Sequence, residues 1–293
     1  MRHRITTGEK IFHAINYIFL ALAAGIALFP FINVIAVSLS SSQAIMTGKV
    51  FLWPVDVTVR AYKNLIEDGQ LFYALKNTVI VTLVGTLFNI LGTVMIAYPL
   101  SRKHLVGGKL ITALIVFTML FNGGLIPSFV LVKNLNIMNS FWALWLPALV
   151  SVYNMIIMKN FFENLPPSLI EAVQIDGAND ICILFQIVLP LSVPVIATVS
   201  LFYCVGWWNN YFNVMIYITD SEKITMTVKI MQMINNFNDT LLQSGEGVTS
   251  DQQLVPEAVK SAAIVITTIP IMCVYPFLQK YFVKGVMIGS VKG

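Results

Sequence analysis

From residue 15 to residue 37 the chain runs for more than 20 residues without a charge. A helix of about 20 apolar residues spans the hydrocarbon core of a bilayer, and such a run fits poorly in a water-soluble domain. Five further apolar stretches follow, at about 75–100, 111–132, 141–158, 189–218 and 262–282. Backbone in lipid must satisfy its hydrogen bonds internally, so each stretch is expected to be a helix. The expected fold is all-α: a polytopic membrane protein with six transmembrane helices, forming a single transmembrane domain over residues 1–293. Composition agrees. The chain is 57% hydrophobic and 11% charged, with mean hydropathy +0.79. Soluble domains are about 25% charged.

Lys and Arg in short segments set the expected topology. Arg2, Arg4 and Lys10 flank the first stretch, Arg102, Lys103 and Lys109 lie between the second and third, and Lys280, Lys284 and Lys292 close the chain. Six spans put these segments on one side, with both termini cytoplasmic. The first apolar run is longer than the 7–15 residues of a signal-peptide core, so it reads as a retained helix. Two long segments, about 38–74 and 219–261, then fall outside. Loops of that length are usually functional or disordered. The second is acidic and contains an apolar run at 226–234 that suggests a docked helix. The net charge of +4 forms no basic stripe with interleaved aromatics, so no nucleic-acid partner is implied. Cys182, Cys204 and Cys273 lack metal-ligand spacing and read as packing residues.

One polar loop, about 161–190, departs from this pattern. Counted from Lys159 to Pro190, it carries a single Lys against Glu163, Glu171, Asp176 and Asp180. Pro166 and Pro167 should end the preceding helix, and Ser168 is the expected cap of the next, with Glu171 completing a capping box. Gly177 should end that short helix with a positive φ. Asn179 or Asp180 can cap a second one, about 181–188, with Pro190 marking the exit into the fifth span. An amphipathic connector is the plain reading of such a loop.

The order Glu171, Ala172, Val173, Asp176, Gly177, Ala178, followed by Leu189, Pro190 and Pro194, resembles the EAA loop of ABC-importer permeases. Val173 departs from it, since Ala is usual there. Residues 122–127 (NGGLIP), 142–147 (WALWLP), 208–210 (WNN) and 279–293 (QKYFVKGVMIGSVKG) extend the likeness over nearly the whole chain. They resemble carbohydrate-importer permeases related to the smaller, six-span membrane subunit of the maltose transporter. The resemblance implies a type I ABC-importer permease fold in the bacterial cytoplasmic (inner) membrane. It implies as partners a second homologous permease, two cytoplasmic ATPases that bind the ATP and Mg, an extracytoplasmic sugar-binding protein, and an oligosaccharide. Glu171 to Asn179 would enter a socket on the ATPase, with Glu171 facing a basic residue and Ala172 and Ala178 keeping the surface small. Lys284, Gly285 and Gly289 in the tail would reach between the ATPases. The loop at 219–261 would meet the binding protein. The NGGLIP form resembles importers of polysaccharide fragments, with an acidic oligosaccharide such as an alginate fragment among the candidates.

No G-x-x-x-x-G-K-[ST] phosphate cradle occurs, so no ATPase activity, catalytic residue or cofactor is expected in this chain. His3, His13 and His104 lie at the expected membrane edge and suggest no metal site. The spans almost lack Asp and Glu, which disfavours the rival reading as an ion-coupled secondary sugar carrier. A scaffold or enzyme without transport is a second rival. Within or near the spans, Asn89, Asn122, Asn154, Asn209, Asn210 and Asn213 either bond between helices or line a sugar path. Trp208 and Tyr211 offer either aromatic-belt anchors or stacking faces.

Overall fold

The computed structural model describes residues 7–67, 69–121, 123–175, 177–244 and 255–290, and side chains within them from residue 8 to 236 and from 255 to 273. The chain is all-α, with no strand among the described residues. It divides into two compact units, one of residues 1–69 and 230–270, the other of residues 70–229 and 271–293.

The first unit opens with α1 (Thr7–Ser38), which is exposed along most of its length and buries Ala36 and Ser38 near its end. At 32 residues α1 is about 48 Å long, more than the bilayer core requires. After it the chain folds back on itself through α2 (Ser42–Met46) and α3 (Arg60–Glu67). Hydroxyls supply the order here. Ser41 caps α2 by accepting from the Ala44 N–H, Ser40 Oγ accepts from Val55 N at 3.1 Å, and Ser38 Oγ bonds Tyr62 Oη at 2.7 Å.

The second unit is built on α4 (Gln70–Leu100). Its buried positions, among them Thr78, Val81, Gly85, Asn89, Thr93 and Ala97, recur every three or four residues and form one face. Next come α5 (Gly108–Leu120) and α6 (Leu125–Asn134), which meet at 109°. The expected single helix over 111–132 is therefore broken. Gly124 stands at φ 88 and ψ −179, a conformation open only to glycine, and Pro127 restarts the helix in its first turn. The expected fourth helix over 141–158 is also interrupted. A short α7 (Trp142–Trp145) precedes Pro147, and α8 (Val152–Glu163) begins only where Ser151 Oγ accepts from the Asn154 N–H. Pro147 cannot donate into a helix, and Ser151 offers a cap inside the expected span.

Beyond α8 come α9 (Pro167–Ile175) and α10 (Asp180–Ile183), a π-helical turn (Leu184–Val188), α11 (Leu189–Leu191), α12 (Val193–Trp208) and α13 (Phe212–Tyr217). The chain then forms α14 (Met226–Ser244) and α15 (Pro256–Ser290). By length and composition three helices can cross a membrane unbroken: Gly8–Ser38, Gln70–Leu100 and Pro256–Cys273. The bent pairs α5–α6 and α10–α12 bring the number to five. The remaining expected span, the fourth, is represented by α7 and the 12-residue α8.

Candidate functional site

The loop from α8 to α12 folds as a short protruding helix pinned at both ends. Helix α9 starts at Pro167, one residue before the expected cap, so Ser168 lies inside its first turn. Proline suits that first position because its missing N–H has no intrahelical acceptor there. The helix ends as expected. Gly177 has φ +82, its N–H donates to Gln174 O at 3.0 Å, and the Ala178 N–H reaches Val173 O at 3.2 Å. This pair of bonds is a Schellman ending, and its hydrophobic partners Val173 and Ala178 both pack on the core. Asn179, rather than Asp180, then caps α10, its Oδ1 accepting from Cys182 N at 2.8 Å.

Burial divides the predicted residues into two sets. Ile170, Val173 and Ala178 face the core, so Ala178 contributes to the seat of the loop. Glu171, Ala172, Gly177 and Asn179 are exposed. Glu171 has no ion pair among the described residues. Asp176 lies outside the described residues. Three exposed residues escaped the sequence reading: Ile175 at 87%, Ile181 at 67% and Phe185 at 64%. Apolar side chains at such exposure on a charged loop suit a protein partner. Their signal was present in the sequence, as apolar residues set between the loop's acids.

A second missed feature lies where α4 meets the loop. Tyr98 Oη donates to the Asp180 carbonyl at 2.9 Å, and the Arg102 guanidinium lies 4.3 Å from the Tyr98 ring centroid. The start of α10 is thereby tied to the end of α4. The exit from the loop also differs from expectation. The chain breaks at Ser192, not at Pro190, and α10–α11 meets α12 at 80°. The π-helical turn explains the shift. Leu189 N bonds Leu184 O, five residues back, which keeps Pro190 within the helical run that precedes the break.

The polar residues of the spans separate by role. Asn89 is 1% exposed and fully engaged: its Nδ2 donates to Ala148 O at 2.5 Å and Leu149 O at 2.8 Å, and its Oδ1 accepts from Trp207 Nε1 at 2.6 Å. It is an interhelical tie, the plainer of the two expected readings. Asn154 is buried in the first turn of α8, while Trp208 and Asn209 end α12 and Asn210 and Tyr211 follow it. Ser151 N donates to Tyr203 Oη at 2.9 Å, which ties the start of α8 to α12. Asn209 Nδ2 is spent on Val205 O of its own helix, at 3.0 Å. Asn122 lies outside the described residues. Lys284, Gly285 and Gly289 fall within the backbone of α15, which continues to Ser290; their side chains are outside the described set.

On the other face of the second unit, the segment before α14 is held against α4. Asn77 Nδ2 donates to Glu222 O at 2.7 Å and Ile224 O at 3.1 Å, and Met226 N donates to Thr78 Oγ1 at 2.8 Å. Asn139, at φ 57, accepts on Oδ1 from the N–H groups of Thr219 and Asp220. The Glu222 N–H, and then Lys223 at 3.3 Å, hold the Asp220 carboxyl below the usual carboxylate range.

Long apolar helices around a polar tie, with one loop helix seated on them, define a helical membrane protein. The chain belongs to the family described as binding-protein-dependent transport system inner membrane component, which matches residues 89–288. It is therefore an ABC-transporter permease subunit, the non-enzymatic transmembrane part of such a system. It is 42% identical to the polygalacturonan/rhamnogalacturonan transport system permease protein YtcP of Bacillus subtilis, over 97% of this chain and 99% of that one. It is 39% identical to Protein LplC of the same organism, over 98% and 97%. Among solved structures it matches a bacterial ABC transporter involved in import of the acidic polysaccharide alginate, with TM-score 0.83 and 33% identity over 94% of this chain and 98% of that one.

Proposed function

We propose that this permease imports an acidic oligosaccharide, a fragment of a uronic-acid polymer. The observation that carries the reading is the pairing of two full-length likenesses. One is to a protein named for polygalacturonan and rhamnogalacturonan, the other to one from an alginate importer. Polygalacturonan and alginate are both chains of uronic acids. The sugar is delivered by an extracytoplasmic binding protein and crosses between this chain and a second, homologous permease. Both termini are cytoplasmic in this reading. ATP and Mg are bound by two separate ATPase subunits. Their closure moves α9 and with it the bundle, switching the path from inward- to outward-open. Glu171 pairs with a basic residue of the ATPase, and Ala172, Ile175, Asp176, Gly177 and Asn179 complete the contact. Lys284, Gly285 and Gly289 meet the ATPases from the tail. Asn122, Asn154, Trp208, Asn210 and Tyr211 are assigned to the sugar path.

The experiment is ATP hydrolysis by the reconstituted complex with its binding protein. Oligogalacturonides or alginate oligomers should stimulate it, and neutral oligosaccharides of equal length should not. Equal stimulation by neutral oligomers would remove the acidic assignment. Glu171→Lys should abolish recruitment of the ATPase while the protein still inserts. Undiminished co-purification would remove the docking role.

A further inference from the structure

The end of α4, the first three turns of α5 and the end of α8 enclose a groove of about 740 Å³. Its mouth is basic. Arg102, Lys103 and Lys109 line it, and Lys159 beside them is already paired with Glu163 at 2.7 Å. Neither Lys103 nor Lys109 has an ion-pair partner among the described residues. The Nε of Arg102 is buried without a hydrogen bond. The wall is apolar and is one face of α5: Thr112, Ala113, Val116, Phe117 and Leu120. Lys109 to Leu120 is a path of about 16 Å. Val106 and Leu110, next to the mouth, are 93% and 66% exposed. Apolar side chains so exposed beside lysines suit the boundary between headgroups and hydrocarbon.

We propose that this groove binds an anionic phospholipid of the cytoplasmic leaflet. Its phosphate sits among Arg102, Lys103 and Lys109, and one acyl chain lies along α5. The ligand must be charged at one end and apolar for about 16 Å beyond it, which describes a membrane lipid. A soluble anion would use only the mouth. The transport reading serves here only to name the leaflet.

The test uses the whole transport complex in nanodiscs of mixed phosphatidylcholine and phosphatidylglycerol. Native mass spectrometry then counts the lipid that stays bound on release. The wild type should retain phosphatidylglycerol over phosphatidylcholine. Lys103→Gln with Lys109→Gln should weaken retention about tenfold or more. Val116→Trp, which fills the wall and keeps every charge, should do the same at equal yield of complex. Retention unchanged in both variants, or equal for the two lipids, overturns the proposal. Displacement of the lipid by soluble glycerol 3-phosphate makes the mouth a free-anion site and also overturns it. Loss of a protein subunit from the double variant at constant lipid makes the groove a protein interface and overturns it as well. Lipid retention is read independently of sugar-stimulated hydrolysis, so a failed substrate assignment leaves this result interpretable.

Discussion

Gly85 should be the glycine of α4 least tolerant of a methyl group. A Cβ at that position would stand 2.7 Å from Cε2 and Nε1 of Trp207 and 3.0 Å from Cδ1 of Trp145. Ordinary contact begins at 3.4 Å, so the Trp207 ring must retreat by at least 0.7 Å. It is not free to do so. Its Nε1 is bonded to Asn89 Oδ1 at 2.6 Å, and Trp145 Nε1 donates to Val81 O at 3.2 Å. Ala is the better helix former by about 1 kcal/mol, which opposes the clash. Overpacking costs about 1–3 kcal/mol, and a buried hydrogen bond left unmade costs about 1–3 more. The clash wins, with a net destabilisation centred near 3 kcal/mol.

The assay is thermal unfolding of the purified complex, with Gly206→Ala as control. Gly206 lies in α12 one residue before Trp207, and a Cβ there meets nothing within 4 Å. Gly85→Ala should lower Tm by about 6–12 °C relative to that control, at about 2–4 °C per kcal/mol for a chain of this size. Trp207→Phe shortens the ring and removes the donor, so the double variant should lose less than the sum of the singles. A Tm for Gly85→Ala equal to that of Gly206→Ala would refute the packing argument.

At Gly177 the obstacle is backbone conformation, since a side chain there meets nothing within 4 Å but φ is +82. Gly177→Val should cost about 1–2 kcal/mol locally and reduce ATPase co-purification, whereas Gly177→Asn, which tolerates the left-handed region, should retain most of it. Tyr98→Phe keeps the ring under Arg102 and deletes the bond to Asp180. It should slow coupled ATP hydrolysis several-fold with ATPase recruitment unchanged; equal rates would show the bond to be idle. For Asp220, the folded carboxyl titrates below its unfolded value, so its stabilisation is present above about pH 4 and lost as pH falls through the folded value. The Tm difference between wild type and Asp220→Asn should be constant from neutral pH to about pH 4 and shrink below it.

The apolar runs were legible because a bilayer imposes one length and one composition. Their interruptions were not. The apolar run is punctuated by Asn-Gly-Gly at 122–124, but nothing in the sequence gives the 109° through which α5 and α6 turn. The bend falls at Gly124, whose φ of 88 glycine permits and the sequence does not dictate. In the loop, Gly177 and Asn179 were legible because capping chemistry is local. The division of Val173 and Ala178 from Glu171 and Ala172 was not, because it depends on which face of α9 meets the core. Asn89 could be recognised as a polar residue in lipid. Its partners, Trp207 and the carbonyls of Ala148 and Leu149, lie more than 50 residues away and required the fold.

These ties bear on how motion of α9 would reach the bundle. Along α4, hydrogen bonds to other elements recur at nearly every turn. Trp145 reaches Val81 O, Asn89 holds Trp207 and the segment before α8, and Thr93 Oγ1 bonds Tyr203 Oη at 2.8 Å. Tyr203 also accepts from Ser151 N, and Tyr98 holds Asp180. Each bond is worth about 1 kcal/mol, and those of Asn89 and Thr93 to Trp207 and Tyr203 must break together for α4 to slide against α12. The segment between Leu184 and Ser192 offers less resistance. It contains the π-helical turn and the missing N–H donor of Pro190, and it ends at the 80° bend. A displacement of α9 should therefore be absorbed there or passed whole to α4 through Tyr98, and not dissipated between α4 and α12. That is why Tyr98→Phe is expected to lower the rate of coupled hydrolysis and leave docking intact: it removes the rigid path and spares the surface of α9.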